Sequence, residues 1–376
     1  MKGAAWKVSV IGGILLVATV VSAKVHGPCS NCHTMHNSQS GNAVQAGGPS
    51  GNLLRDDCVG CHSSDTSETI KVIGSGTQIT RIPIVYNRAE PLYPSTPTAS
   101  GSSVVLAGGN FYWVEHEGDK FGHNVISHAD SLLTTAPGNK NNCSNSCHVS
   151  LYSWSSPWFS EKGGCTSCHT PAHHKGGNAT AIADEEDGWY RFLSKKHQNH
   201  SDNRSIKGYE DPDWQQTVSP SDHNEYWDSY QSEQAGISRF CGACHGDFHS
   251  TMYGPQNGGF YAGQWHAAPW FRHPAGIYLP DTGETSKYNT DGSGPEGTPG
   301  PYNPIAPVAR QDVDSITTSS SVVMVGTDGA MVMCLSCHRA HGSPYADMLR
   351  WDYEGGCKAN EANHQCGCFI CHTNKD

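Results

Sequence analysis

Hydrophobic residues, positive charge and methionine are all scarce in this sequence. Hydrophobic residues make up 36% of the 376 positions, and 24 basic residues face 35 acidic ones, for a formal net charge of −11. Such an acidic chain is an unsuitable partner for nucleic acid. No apolar run after the first 23 residues is long enough to span a membrane. With 42 glycines and 21 prolines as well, we expect few long helices or strands and a core that side chains alone build poorly.

The first 23 residues have the pattern of a secretory signal peptide. Lys2 and Lys7 precede the apolar run Val8–Val21, and small residues follow at Ser22 and Ala23. The run is too short to cross a bilayer and ends in a typical cleavage sequence. Without Lys2 and Lys7 the net charge moves from −11 to −13. We therefore expect residues 24–376 to be secreted, to the periplasm or to the cell surface and exterior.

The 16 cysteines follow a repeated pattern. Six C-x-x-C-H motifs and one C-x-x-x-C-H motif place a histidine directly after the second cysteine. The cysteine pairs are Cys29 and Cys32, Cys58 and Cys61, Cys143 and Cys147, Cys165 and Cys168, Cys241 and Cys244, Cys334 and Cys337, and Cys368 and Cys371. The histidines that follow them are His33, His62, His148, His169, His245, His338 and His372.

This spacing is the attachment signature of c-type haem. Two thiols three positions apart on one turn reach both vinyl groups of a porphyrin, and the following histidine binds the iron. Zinc sites and redox pairs also use C-x-x-C, and disulfides are common in secreted proteins. Neither alternative requires a histidine after the second cysteine seven times. We therefore predict seven covalent haem c groups, with the longer Cys143 motif as the least regular site.

Cys357 and Cys366 lie outside the motifs. A disulfide across this short loop is one interpretation. The other is that Cys366 competes with Cys368 for the last haem, through the longer spacing to Cys371.

Histidine is abundant enough to supply the second axial ligand of every haem. Seven of the 22 histidines belong to motifs, which leaves 15, whereas only six methionines follow the signal peptide. Bis-histidine ligation is therefore predicted, and with it low reduction potentials. The predicted distal ligands are His36, His123, His173, His174, His197, His249, His273 and His341, with His173 and His174 as alternatives to each other. His26, His200 and His223 are held in reserve.

Several distal candidates follow a motif closely, as His36 and His341 do. A histidine so near one proximal ligand cannot easily reach the far face of the same ring. We expect it to bind the neighbouring haem instead, which would tie the haems into close pairs.

The motifs fall into four groups, at 29–62, 143–169, 241–245 and 334–372. The predicted fold is a mostly irregular multihaem cytochrome c: short helices at the haem sites, a few short β-hairpins, and a core of stacked haems in one unit from 24 to 376. The predicted local elements are a strand at Arg81–Tyr86, hairpins at Ser103–Val114 and Ser321–Met333, a loop at Gly283–Pro304 and a helix at Glu185–Lys196.

The sequence resembles the multihaem cytochromes with doubled C-x-x-C-H sites found in metal-reducing bacteria. Leu-Ala-Gly-Gly-Asn-Phe-Tyr-Trp-Val (106–114) and Met-Leu-Arg-Trp-Asp-Tyr (348–353) are more particular than the motifs. The similar segments are Gly27–Gln39, Leu106–Val125, Tyr190–Trp214, Phe240–His249, Trp270–Pro274, Cys334–Tyr353 and Gly367–Lys375. The resemblance implies periplasmic or cell-surface electron transfer, in some members through polymerised filaments. It also implies that His123 and His273 are distal ligands. The Cys143 motif departs from the usual spacing.

The leading functional hypothesis is extracytoplasmic electron transfer by a carrier that is not an enzyme. Its partners would be redox proteins or extracellular electron acceptors in anaerobic respiration. The alternative is a multihaem reductase with one open iron. Several such enzymes use lysine in place of the motif histidine, and no C-x-x-C-K occurs here. A further hypothesis is a homopolymer filament in which an axial histidine such as His26 comes from the neighbouring subunit; the alternative is a monomeric shuttle.

Overall fold

The structure is a computed structural model of the 376-residue chain. The residues that it describes are 24–44, 48–51, 53–54, 58–93, 101–102, 105–125, 164–174, 179–183, 187–196, 203–228, 236–242, 273, 275–290, 295–311, 318–326, 329–358 and 366–373. The signal peptide expected at 1–23 lies outside them.

Helices are short in the described part of the chain. The six α-helices are α1 (Cys58–His62), α2 (Tyr112–Glu117), α3 (Ile237–Gly242), α4 (Cys334–Cys337), α5 (Tyr353–Gly356) and α6 (Gly367–Cys371). The 3-10 turns are Cys29–Asn31, Asp119–Phe121, Gly164–Ser167, Tyr190–Phe192 and Ala346–Met348. Among these residues no helix exceeds six positions, so none has the length and apolarity needed to cross a membrane.

Strands are equally short and form two- and three-stranded sheets. In chain order they are β1 (Ser38–Gln39), β2 (Asn42–Ala43), β3 (Ser63–Ser64), β4 (Ile70–Ile73), β5 (Thr80–Pro83), β6 (Tyr86–Asn87), β7 (Gly101–Ser102), β8 (Ala181–Ile182), β9 (Ser194–Lys196), β10 (Asn203–Ser205), β11 (Gly208–Tyr209), β12 (Thr217–Val218), β13 (Glu225–Tyr226), β14 (Ile277–Tyr278), β15 (Gly300–Pro301), β16 (Ala309–Arg310), β17 (Val322–Val323) and β18 (Ala330–Val332). The sheets are β1-β2, β3-β6, β4-β5, β7-β12, β9-β10, β13-β11-β8, β14-β18-β16 and β15-β17. All pairs are antiparallel except β3-β6.

Strand β18 separates two hydrophobic clusters. Alternate residues of a strand point to opposite faces, so Met331 and Met333 pack with Tyr190, Ile206 and Ile237, whereas Val332 packs on the other side. On that other side lie Leu279, Tyr288, Tyr302, Val308 and Ile370. Met331 and Met333 are therefore core residues, and this placement does not offer them as axial ligands. The described residues thus build a modest protein core beside the cysteine motifs.

A long-range contact joins residues 106–123 to residues 339–350. Gly109 and Gly342 form a bridge, and the amide of His341 donates to the carbonyl of Gly108 at 2.7 Å. A Cβ at position 109 would lie 1.9 Å from the carbonyl oxygen of Gly342, and the φ of Gly109 is +84°. Glycine is required here because only it allows this backbone conformation and this close approach.

Three predicted local elements are wrong. The hairpin at Ser103–Val114 fails because helix α2 begins at Tyr112, within the predicted second strand. The helix at Glu185–Lys196 fails because Trp189, Arg191 and Phe192 have positive φ angles, and strand β9 follows. Ser321–Met333 contains strands β17 and β18, but they pair with β15 and with β14 and β16 instead of forming a hairpin. The strand at Arg81–Tyr86 and the loop at Gly283–Pro304 are confirmed in large part, by β5 with β6 and by turns around β15.

Candidate metal centres

Five of the seven cysteine motifs are described completely, and they share one local structure. Each is a single helical turn in which the histidine amide lies near the carbonyl of the first cysteine. The distances are 2.8 Å from His33 to Cys29, 3.0 Å from His169 to Cys165, 3.1 Å from His338 to Cys334 and 2.8 Å from His372 to Cys368. Helix α1 holds Cys58, Cys61 and His62 in the same way. One turn of helix places residues three apart on the same side, so both thiols can reach one porphyrin.

The other two sites are described in part or not at all. Cys241 lies in α3, whereas Cys244 and His245 fall outside the described residues. The predicted site of Cys143, Cys147 and His148 lies entirely outside them, as do the predicted distal ligands His197 and His249 and the reserve His200.

Four motif histidines face a second, non-motif histidine ring. The centroid distances are 5.9 Å for His33 and His174, 6.2 Å for His62 and His173, 6.1 Å for His169 and His341, and 6.1 Å for His372 and His273. His338 and the nearby His123 form a fifth candidate couple. Burial lowers the pKa of His338, and the nearby His123 lowers it further.

These distances match the geometry of two histidines on one metal ion. A metal–nitrogen bond is about 2.0 Å, and the nitrogen lies about 1.1 Å from its ring centre, so two rings on opposite sides of an ion are about 6.2 Å apart. Rings in direct van der Waals stacking would be closer. The residues present therefore fit an iron held between each couple, with a porphyrin attached to the adjacent cysteines.

Main-chain carbonyls orient four of these rings through Nδ1. His62 Nδ1 is 2.8 Å from the carbonyl oxygen of Pro83, and His169 Nδ1 is 3.0 Å from that of Arg191. His338 bonds the carbonyl of Asp347 and His123 that of Ala340, both at 2.7 Å. An Nδ1–H that donates to a carbonyl leaves the lone pair on Nε2, which is the tautomer that a metal needs.

Burial also favours the neutral form of several of these imidazoles. It lowers the pKa of His62, His169 and His173, and it lowers the pKa of His341 to about 3, with the neighbouring histidines His169 and His123 adding to the effect. A protonated imidazole has no lone pair for iron. The lowered pKa values therefore leave His62, His169, His173 and His341 neutral and able to bind a metal at neutral pH.

In these couples the non-motif histidine is distant in sequence from the motif histidine that it faces. His173 and His174 follow the Cys165 motif but face the histidines of the Cys58 and Cys29 motifs. His341 follows the Cys334 motif but faces His169 of the Cys165 motif. The distal residues that follow a motif therefore face the histidine of another site. His173 and His174, which the sequence offered as alternatives, each face a different motif histidine.

The cysteines connect the sites further. Cys241 forms a hydrogen bond with Cys334 and lies close to Cys168. This hydrogen bond, burial and the charges of both thiols raise the pKa of Cys241. Burial raises the pKa of Cys337 to about 12, and the nearby Cys368 contributes to this shift. Neighbouring attachment sites therefore lie side by side.

A buried guanidinium beside these attachment sites offers a hydrogen-bond donor to a haem propionate. Arg350 is 7% exposed, and its Nη1 lies 3.3 Å from the carbonyl oxygen of Ala107. Its Nε has no partner among the described residues, and burial lowers its pKa to about 10. A propionate carboxylate is an acceptor that suits such a donor.

Four of the described histidines lie apart from these couples, and one of them is the exposed His26. His223, a reserve ligand, is buried; it stacks on Tyr302 at 3.4 Å between centroids and bonds the carbonyls of Asn224 and Ser320. It is therefore placed as a core residue. His116 stacks on Tyr112 in α2. His36 is exposed, and its Nδ1 lies 2.9 Å from the carbonyl oxygen of Ser50.

Cys357 and Cys366 form a disulfide with 5.1 Å between their Cα atoms. Both pack with Trp351, Ile305 and Cys368, and Cys366 is buried. The alternative in which Cys366 replaces Cys368 at the last haem does not agree with this pairing. The disulfide also occupies two of the three members of the cluster Cys357, Cys366 and Cys368, where three sulfurs lie within 4.8 Å.

The sequence did not predict one hydrogen-bond partner of a proposed ligand. His372 Nδ1 lies 2.9 Å from Oε1 of Glu284, which is 88 positions away along the chain. No motif or local spacing connects the two residues, so only the fold brings them together.

Known proteins provide an independent comparison. The family described as "Doubled CXXCH motif" matches residues 327–376, which contain the last two motifs. The C-type cytochrome OmcS of Geobacter sulfurreducens is 25% identical over 417 residues, which cover 93% of this chain and 85% of that protein. The Outer Membrane Cytochrome S filament of that organism has a TM-score of 0.51 and 20% identity, over 90% of this chain and 87% of the other. A structure of the OmcS nanowires has a TM-score of 0.49 and 21% identity, over 91% and 88%.

Together these observations define the class: this chain has the haem-attachment motifs and the fold of multihaem c-type cytochromes and is similar to them in sequence. Within that class it is similar to the C-type cytochrome OmcS. The resemblance to cytochromes of metal-reducing bacteria is confirmed, and so is the expected fold of short helices, small strands and irregular segments.

Proposed function

We propose that this protein transfers electrons outside the cytoplasm through a chain of seven covalently bound bis-histidine haems. The proposal rests on the distance between the ring centroids of motif and non-motif histidines. This distance is about 6 Å, which is the spacing expected for two histidines bound to one iron. Bound haem would supply one-electron redox chemistry, whereas the protein supplies axial ligands, burial and charge. Redox proteins or extracellular acceptors are the proposed partners.

The proximity of the sites supports a continuous path. His173 and His174 are adjacent in the chain and face the first two motif histidines. The charge of His62 contributes to the lowered pKa of His169, after burial. Cys241 then interacts with both Cys168 and Cys334, and Cys337 interacts with Cys368 and Cys371. Among the described sites, these contacts run from the Cys29 motif to the Cys368 motif.

A reductase would need an iron with one open position. Four of the five completely described motif histidines face a second histidine ring, and His338 lies near His123, which supports a filled sixth position at each of these sites. The intact mass and the spectra of the native holoprotein test the choice between these functions. We expect a mass increase of seven haems and low-spin ferric and ferrous spectra that carbon monoxide leaves unchanged. A fraction that binds carbon monoxide would favour the reductase. A mass increase of only six haems would indicate that the Cys143 motif carries none.

A homopolymer at the cell surface is the second part of the proposal. It is supported by the likeness to the OmcS filament fold and by the surroundings of His36. Its Nδ1 is fixed by Ser50, its ring is exposed, and Met35, Leu53 and Leu54 beside it are 72%, 48% and 40% exposed. An exposed ligand among apolar side chains fits a second copy of this chain better than water. His26, also exposed, has its carbonyl fixed by Thr80 and is the other candidate.

Replacing His36 with alanine is expected to abolish assembly. Electron micrographs of material sheared from cells should show filaments for the wild-type chain and for His26→Ala, but dispersed particles for His36→Ala. One haem of the dispersed variant should bind carbon monoxide, since its distal ligand is lost. Dispersed particles in the wild type would contradict the filament, and filaments of His36→Ala would move the role to another residue.

A further inference from the structure

The last motif histidine has an unusual hydrogen-bond partner. The described ligand histidines His36, His62, His123, His169 and His338 place Nδ1 against main-chain carbonyls. His372 instead places Nδ1 at 2.9 Å from a carboxylate oxygen of Glu284. Among the described motif histidines with a resolved Nδ1 bond, this one alone faces a formal negative charge.

The chain holds this carboxylate in place from several directions. The amide of Asn289 donates to the carbonyl of Ile370 at 2.7 Å, which docks the loop of Glu284 on helix α6 just before His372. At the start of the loop, the amide of Gly283 donates to Glu296 at 3.1 Å and Ser286 Oγ donates to the carbonyl of Gly283 at 2.7 Å. The side chains of His372 and Glu284 are 26% and 40% exposed. The contact is thus part of the packing between the loop and the attachment helix.

A carboxylate partner changes what an axial imidazole does. When it accepts the Nδ1–H bond, it raises the basicity of the ligand and adds negative charge beside the metal. Both effects stabilise ferric over ferrous iron and therefore lower the reduction potential. A neutral carbonyl has the same geometry but lacks the charge, so its effect is smaller.

We propose that Glu284 is a positioning residue that lowers the reduction potential of the haem attached at Cys368 and Cys371. The inference rests on the proposed haem at this site. It adds a cause for haems of the same chain to differ in reduction potential. The two C-terminal haems differ as a result, because His338 of the neighbouring site bonds the main-chain carbonyl of Asp347. An electron on the last haem then has the higher energy of the two.

Glu284→Gln tests this proposal in the full-length holoprotein, because it removes the charge but keeps an acceptor oxygen. An EPR-monitored redox titration should show one haem whose redox equilibrium shifts towards the ferrous form by about tenfold, which is about 59 mV for one electron. The EPR signal of that same ferric haem should change, while the signals of the other haems stay in place. Asp281→Asn is the matched control, since it removes an exposed charge three residues away and should leave every potential unchanged.

The outcomes separate the two proposals. A variant with full haem content and no shifted potential would overturn the role of Glu284 while the haem chain remains. Equal shifts in Glu284→Gln and Asp281→Asn would also overturn it, because the effect would then be one of surface charge. A wild-type protein without haem at Cys368 and Cys371, found by mass analysis of the peptide, would overturn both proposals.

Discussion

Replacing His341 with alanine is expected to open one haem of the protein to carbon monoxide. His341 faces His169 at 6.1 Å between ring centroids. Burial lowers the pKa of His341 to about 3, so the imidazole is neutral at physiological pH and able to bind iron. Alanine removes that ligand and leaves the haem at Cys165 and Cys168 five-coordinate. A high-spin ferric signal and a carbon monoxide difference spectrum, each equivalent to one haem of seven, are the expected measurements.

The amide of residue 341 still donates to Gly108 in this variant, because the bond uses only the main chain. The contact between residues 106–123 and 339–350 should therefore survive, and with it the fold. His116→Ala is the matched control. His116 stacks on Tyr112 and bonds its carbonyl, so its removal should leave every haem low-spin. A low-spin His341→Ala protein that does not bind carbon monoxide would mean that another residue is the ligand.

Replacing both adjacent residues His173 and His174 with alanine is expected to open the largest number of haems to carbon monoxide. They face His62 and His33, at 6.2 and 5.9 Å, so one short segment would serve two haems. In His173→Ala/His174→Ala we expect two of the seven haems to become high-spin and to bind carbon monoxide. Quantitative carbon monoxide titration of the purified variant gives this number directly.

The two single variants make the test sharper. Each should open one haem, and because the two sites are separate the effects should add to the value of the double variant. The EPR signals lost in the two single variants should also differ. If His173→Ala and His174→Ala open the same haem, or if only one of them has an effect, the two histidines are alternatives and the assignment to separate sites is wrong.

The attachment sites could be predicted from the sequence because their geometry is local. Two cysteines and a histidine on one turn need only the i to i+4 contact seen at Cys29 and His33. The distal partners are set at long range. His123 is anchored to Ala340, 217 positions away, and Glu284 lies 88 positions from His372. The sequence indicates that a histidine is spare but carries no information on which site it faces.

Local structure was predicted less well where tertiary contacts decide it. The apolar run at Phe111–Val114 suggests a strand, but Asn110 Oδ1 accepts from the amide of Tyr112 at 3.0 Å and helix α2 follows. Phe111 and Val114 are three positions apart, so they share a helical face and pack together on Tyr86. Strands β17 and β18 were recognised by their composition. Their partners come from distant segments, which local alternation cannot reveal.

A cryo-EM map of the native holoprotein tests the central claim most directly. We expect iron density between five couples of histidines: His33 with His174, His62 with His173, His169 with His341, His338 with His123 and His372 with His273. Each iron should lie in a porphyrin bonded to the cysteines of the motif. Irons with water or an open position opposite these motif histidines, or distal ligands from other residues, would contradict it.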